Sequence, residues 1–183
     1  MMLNSTRRSF LGLTLIITFL FVSAGAVSAQ VGQETPEALA NTLVSSINAK
    51  NVAGVQALLH PQVVSYLRVT DPAMLNNITA SLMSLQIPED FQVGVISLDD
   101  LEKSGSQMAK YDKATQTLTM MGAPAYYKIP PSQLMMLAVD KEKTVEVDGK
   151  KETKIIKVPL TPTPLPIGQY QGNWYIVMAA GKK

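Results

Sequence analysis

The chain has no cysteine and one histidine in 183 residues. Without cysteine there can be no disulfide, thiolate metal site, iron–sulfur cluster, cysteine nucleophile or cysteine-linked lipid anchor. A single histidine leaves too few nitrogen or sulfur ligands for a zinc site, so no metal and no other cofactor is expected. Arginine is nearly as scarce: beyond Arg7 and Arg8 only Arg68 is present. Bidentate recognition of phosphate or carboxylate, which arginine usually performs, is therefore thinly supplied. The serines include no Gly-x-Ser-x-Gly elbow. Charge of one sign is lacking too. With Arg7 and Arg8 set aside, 14 Lys+Arg face 14 Asp+Glu. The sequence pI near 8.8 thus reflects the N-terminus. A neutral chain lacks the clustered basic charge that a nucleic-acid backbone needs, so no nucleic-acid partner is expected.

What the chain does have begins with "STRRSFLGL", Ser5 to Leu13, ahead of an uncharged run from Phe10 to Ala29. A basic start, the apolar stretch "LTLIITFLFV" and the small-residue end "SAGAVSA" follow the order of a secretory signal peptide. Cleavage is expected after Ala29. "STRRSFLG" resembles the bacterial twin-arginine export motif, with Gly12 in place of the usual lysine. The following core is more apolar than twin-arginine signals usually are, which favours the general secretory route. About twenty apolar residues also suffice to span a bilayer core of ~30 Å. An uncleaved chain would then be membrane-anchored through residues 10–29, with its short N-terminus cytoplasmic. Either outcome places residues 30–183 outside the cytoplasmic membrane, periplasmic or extracellular. Their length suits one domain with a real core.

The first half of that domain reads as helical. Thr35, Pro36 and Glu37 are a helix start, and Leu39, Leu43 and Ile47 make one apolar stripe, so a helix is expected over 36–49. Asn51 caps a second, with Val52, Val55, Leu58 and Leu59 on one face and Pro61 as its stop. Asp71 and Pro72 open a third, lined by Leu75, Ile78, Leu82 and Leu85. After Pro88 the pattern turns to strands. Residues 91–98 alternate, with Phe91, Val93 and Val95 on one face. "QTLTMM" and "AYYKI" are short β-type runs, and "QLMMLAV" fits a buried strand or a short helix. "TVEVDGKKETKIIKV" is a hairpin about Asp148-Gly149. "PLTPTPLP" carries four prolines and is expected as an extended loop or edge crossover, not a central strand. "GNWYIVMAA" is the closing strand.

Helices followed by antiparallel strands define an α+β domain, with N-terminal helices packed on a curved, mostly antiparallel sheet. "TPEALANTLVSSINAKNVAGVQALLHPQVV" and "GNWYIVMA" carry a resemblance to the nuclear-transport-factor-2-like superfamily. In that superfamily a second helix often ends near His-Pro, and a Gly-x-Trp strand closes a cone-shaped sheet. The likeness covers about forty residues, and the proline run departs from it. The superfamily includes enzymes, ligand-binding domains and assembly modules, so fold alone does not choose a function.

Few residues offer chemistry. His60 with a carboxylate would serve as a general base; its structural alternative is a helix-end histidine whose charge suits the C-terminus of the second helix. Asp99 and Asp100 are paired carboxylates, or else a solvated turn or helix cap. Tyr126 and Tyr127 would point to opposite faces of a strand, so one at most would enter a pocket. The ten methionines, Met135 among them, suit core filling or an apolar ligand cavity. Tyr126, Tyr127, Met135 and Trp174 are the candidate ligand contacts. The expected function is non-catalytic binding of a small apolar ligand or a protein partner. The alternatives are a small hydrolase or isomerase using His60 with an aspartate, and an anchored interaction protein.

Overall fold

Proline and short polar side chains set the helical half. The computed structural model describes residues 32–106, 108–147 and 150–180. The leader with its cleavage point, and Asp148-Gly149 with the expected tight turn, lie outside the described residues. Thr35 accepts a 3.0 Å hydrogen bond from the Ala38 amide and opens α1 (Pro36–Asn48). Asn51 Oδ1 does the same for Gly54 at 2.9 Å and opens α2 (Val52–Ala57). Asp71 Oδ1 accepts from Met74 at 2.9 Å and opens α4 (Pro72–Met83). These caps satisfy amides that a helix start leaves without intrahelical partners.

One helix was not expected. Pro61 opens α3 (Pro61–Thr70), instead of merely stopping the helix before it. Proline suits the first helical position because its missing N–H would lack an intrahelical partner there anyway. Val63, Val64 and Leu67 then form the buried stripe.

The strands that follow are β1 (Gln92–Ser97), β2 (Ala109–Asp112), β3 (Thr117–Met120), β4 (Ala123–Tyr126), β5 (Gln133–Val147), β6 (Lys150–Pro159), β7 (Leu165–Tyr170) and β8 (Asn173–Ile176). A six-residue helix, α5 (Leu98–Lys103), follows β1 directly. All strand pairings are antiparallel. One sheet runs β1-β5-β7-β8 with β6 also on β5, and the second runs β2-β3-β4. The chain is therefore α+β, with its N-terminal helices on an antiparallel sheet. The "QLMMLAV" segment is strand, the first half of β5.

The proline run is shorter as a loop than expected. Pro166 lies inside β7, opposite Leu134 of β5, and β7 sits between β5 and β8. The β7–β8 pairing begins only at Ile167. Pro166 thus needs no N–H on that side, while its carbonyl accepts from Val177 at 2.8 Å. A proline at the start of a strand costs little.

β5 divides the interior. Met135 and Leu137 face a large core with α1–α4, joined by Phe91 just before β1, by Val93 and Val95 of β1 and by Ile167, Ile176 and Met178. Leu134 faces the other way. With Val177, it meets Leu101 of α5, Ala109, Leu118 and Tyr127 in a smaller core. Alternation along a strand produces this split. No described helix is long and apolar enough to cross a membrane.

Met135 is fully buried at the centre of the larger core. Met135→Ala is expected to lower stability by about 2–5 kcal/mol, read as a drop in the urea midpoint with an unchanged slope.

Candidate functional site

A hollow opens in the smaller layer. It is a cleft of about 1040 Å³ between α5, the β2-β3-β4 sheet and the Pro130–Ser132 segment. Ser97 caps α5: its Oγ accepts from the Asp100 amide at 3.0 Å and donates to Asp100 Oδ2 at 2.6 Å. That bond holds Asp100 at the cap, where it also meets Lys103 at 3.7 Å. Asp99 and Glu102, three residues apart on one helical face, line the cleft.

The opposite wall carries the countercharges. Lys110 and Tyr111 come from β2 and Lys113 from the turn after it. Asp112 shapes that turn, accepting from the Ala114 and Thr115 amides at 2.8 and 3.3 Å. These contacts, led by the hydrogen bond from the Thr115 side chain, hold its carboxyl below the usual carboxylate range. Lys113 reaches Asp99 across the mouth at 4.0 Å. Leu98, Ala109, Pro130 and Pro131 supply apolar surface. Burial, then the neighbouring Tyr126 and Asp112, push the Tyr111 hydroxyl above its ordinary value. It stays protonated near neutral pH and is able to donate a hydrogen bond. The lining therefore offers ammonium groups, carboxylates, a phenol and amides, and no histidine. Polar groups set beside apolar side chains in this way are the kind that orient a ligand in a site.

The expected site residues are dispersed. Asp99 lines the cleft, and Asp100 lies in the first turn of α5, bonded to the Ser97 cap. Tyr126 touches the cleft indirectly: its hydroxyl donates to Gln116 Oε1 at 3.0 Å, and Gln116 is a lining residue. Tyr127 is buried in the smaller core, where desolvation pushes its hydroxyl up to about 12. Met135 belongs to the larger core, and Trp174 packs against it. No methionine lines the cleft. Lys110, Lys113, Tyr111 and the Pro130-Pro131 pair form no spaced motif, so sequence reading missed them; they converge only through strand pairing.

His60 is elsewhere and in a different state from either expectation. The chain between α2 and α3 runs beside β8 as a parallel bridge, Leu59 opposite Ile176, and the His60 amide donates to the Ile176 carbonyl at 2.9 Å. The His60 ring meets Tyr170 edge-on at 5.2 Å and Tyr175 at 5.8 Å. It is 1% exposed, and its Nδ1 has no hydrogen-bond partner. Gly32 closes this cluster, for a Cβ there would collide with the Tyr175 ring. His60 stands at the start of α3, not the charge-stabilising end of α2. Burial lowers its pKa below 6.5, and the positive end of α3 adds to the bias against charge. Among the described residues no group of three or more His, Cys, Asp or Glu side chains is placed to hold a metal.

No protein-family model, no curated protein and no solved structure matches this chain.

His60 generates a pH dependence. The unfolded chain takes up a proton near 6.5, whereas the folded chain does so only at lower pH, so stability is highest above that value. It falls as pH drops through the unfolded pKa toward the folded one. Urea unfolding at about pH 7.5 and about pH 5.5 should show the larger loss for wild type than for His60→Phe. Equal losses would mean that His60 is charged in the fold.

Proposed function

We propose that this chain is an exported, non-catalytic binding module that holds a small amphiphilic ligand in the cleft beside α5. The observation that carries the reading is the lining itself: apolar Leu98, Ala109, Pro130 and Pro131 beside Lys110, Lys113, Asp99 and Glu102. A cleft of about 1040 Å³ is of the size that ligand sites have. The apolar body of the ligand lies on the prolines and Leu98. Its polar end meets the charged rim, where two lysines favour an anionic or zwitterionic group. This narrows the expected apolar ligand, because the methionines that suggested it fill cores or surface and leave the cleft alone.

The reading is non-catalytic because the one histidine is buried between tyrosines, with no partner on Nδ1. A general base must come within hydrogen-bond reach of the proton that it takes from its substrate. Export rests on the order of residues 1–29, and kinship with the nuclear-transport-factor-2-like superfamily on the helix pair ending at His60-Pro61 and the Gly172–Trp174 start of β8.

Mass spectrometry of protein recovered from an exporting bacterial host tests both parts. The denatured mass is expected to match residues 30–183. The native spectrum is expected to carry extra mass that the Lys110→Glu, Lys113→Glu double variant loses. An intact N-terminus would replace cleavage with anchoring. A bare native species, or extra mass indifferent to the double variant, would overturn the cleft as the binding site.

A further inference from the structure

The β5–β6 ribbon outruns the body that supports it. β1 pairs with β5 only up to Ala138, and β7 only over Gln133–Met135. From Val139 onward the one described neighbour of β5 is β6, paired from Lys150 to Pro159. The far edge of β6 faces no described strand. A two-stranded ribbon is marginal in water by itself, and an open edge presents unpaired N–H and C=O groups. Ile155 and Ile156 of β6 are both exposed, Ile155 to 72%.

The charges along β6 suit pairing with itself. Residues directly opposite share a face of an antiparallel ribbon. One face carries Lys141, Lys143, Glu152, Lys154 and Ile156; the other carries Asp140, Glu142, Ile155 and Lys157. Glu152 and Lys154, two residues apart, meet at 3.9 Å on their common face, and each is more than half exposed.

Two copies joined edge to edge about a two-fold axis normal to the sheet must have one residue opposite itself. Centring on Glu152 or on Lys154 sets like charges face to face. Centring on Thr153 sets Glu152 of each copy opposite Lys154 of the other, twice by symmetry. The result is a square of alternating charge at the centre. The next positions outward bring 151 opposite Ile155 and 150 opposite Ile156, so no like charges face each other directly.

We infer that the open edge of β6 is a homodimer interface, in which two copies of this chain pair antiparallel about Thr153 and continue one sheet across the two-fold axis. Self-complementary surfaces are what two-fold dimers require. The edge is narrow, so the dimer is weak and concentration-dependent. The interface lies outside the cleft and does not depend on a ligand being there. Lysines on an edge strand can also serve to prevent pairing, and the experiment separates the two roles.

Sedimentation of the exported chain over a rising micromolar series is expected to show a reversible monomer–dimer equilibrium. Glu152→Lys sets lysine opposite Lys154 twice and should weaken the dimer by about tenfold. Lys154→Glu, which sets two carboxylates opposite each other, should do the same. The double variant Glu152→Lys, Lys154→Glu restores opposite charges in the same register and should recover the wild-type constant. A wild-type monomer throughout the series would assign the lysines the guarding role and overturn the inference. A dimer indifferent to Glu152→Lys, or one that the double exchange fails to restore, would overturn it equally.

Discussion

β5 is the constraint on which the rest of the structure depends. Its first residues alternate so that both faces are buried: Met135 and Leu137 under the helices, Leu134 under the smaller layer. A fully buried leucine or methionine contributes about 1.5–3 kcal/mol of transfer free energy. Three within four residues fix the register of the neighbouring strands against it, because a slip by one residue would exchange the two faces. Where β5 leaves the body the alternation loses its apolar half, and the strand becomes the charged ribbon.

Unequal cores follow from this division. The helical side holds nineteen buried residues in one cluster, the cleft side six. His60 packs against Tyr170 and Tyr175 of the last two strands. The cleft lies in the thinner layer, whose walls are a six-residue helix and three strands of four residues each. Binding surfaces are commonly drawn from the less stable parts of a fold. The same chain thus keeps its one histidine buried and places lysines and carboxylates along the cleft of the thinner layer.

Much of this was legible in the sequence, and for identifiable reasons. Thr35, Asn51 and Asp71 mark helix starts because their side chains cap them. Phe91, Val93 and Val95 mark the buried face of β1 by their spacing. Pro61 misled because proline both ends and begins helices, and only the Val63, Val64 and Leu67 stripe shows which applies. Pro166 misled because its tolerance in β7 depends on where β8 begins, a tertiary fact. The cleft was not legible beyond Asp99. Its lysines, Tyr111 and prolines are brought together by β2-β3-β4 pairing, which leaves no periodic trace. His60 was legible as singular, but its burial depends on the link between α2 and α3 lying along β8.

Hydrogen exchange of backbone amides tests the central division most directly. If β5 separates a thick core from a thin one, amides of Met135 and Leu137 and of the α1 interior exchange slowest. Those of α5, β2, β3 and β4 should exchange earlier and together, as one unit. Equal protection on both sides of β5, or earlier exchange of the helical side, would contradict the account.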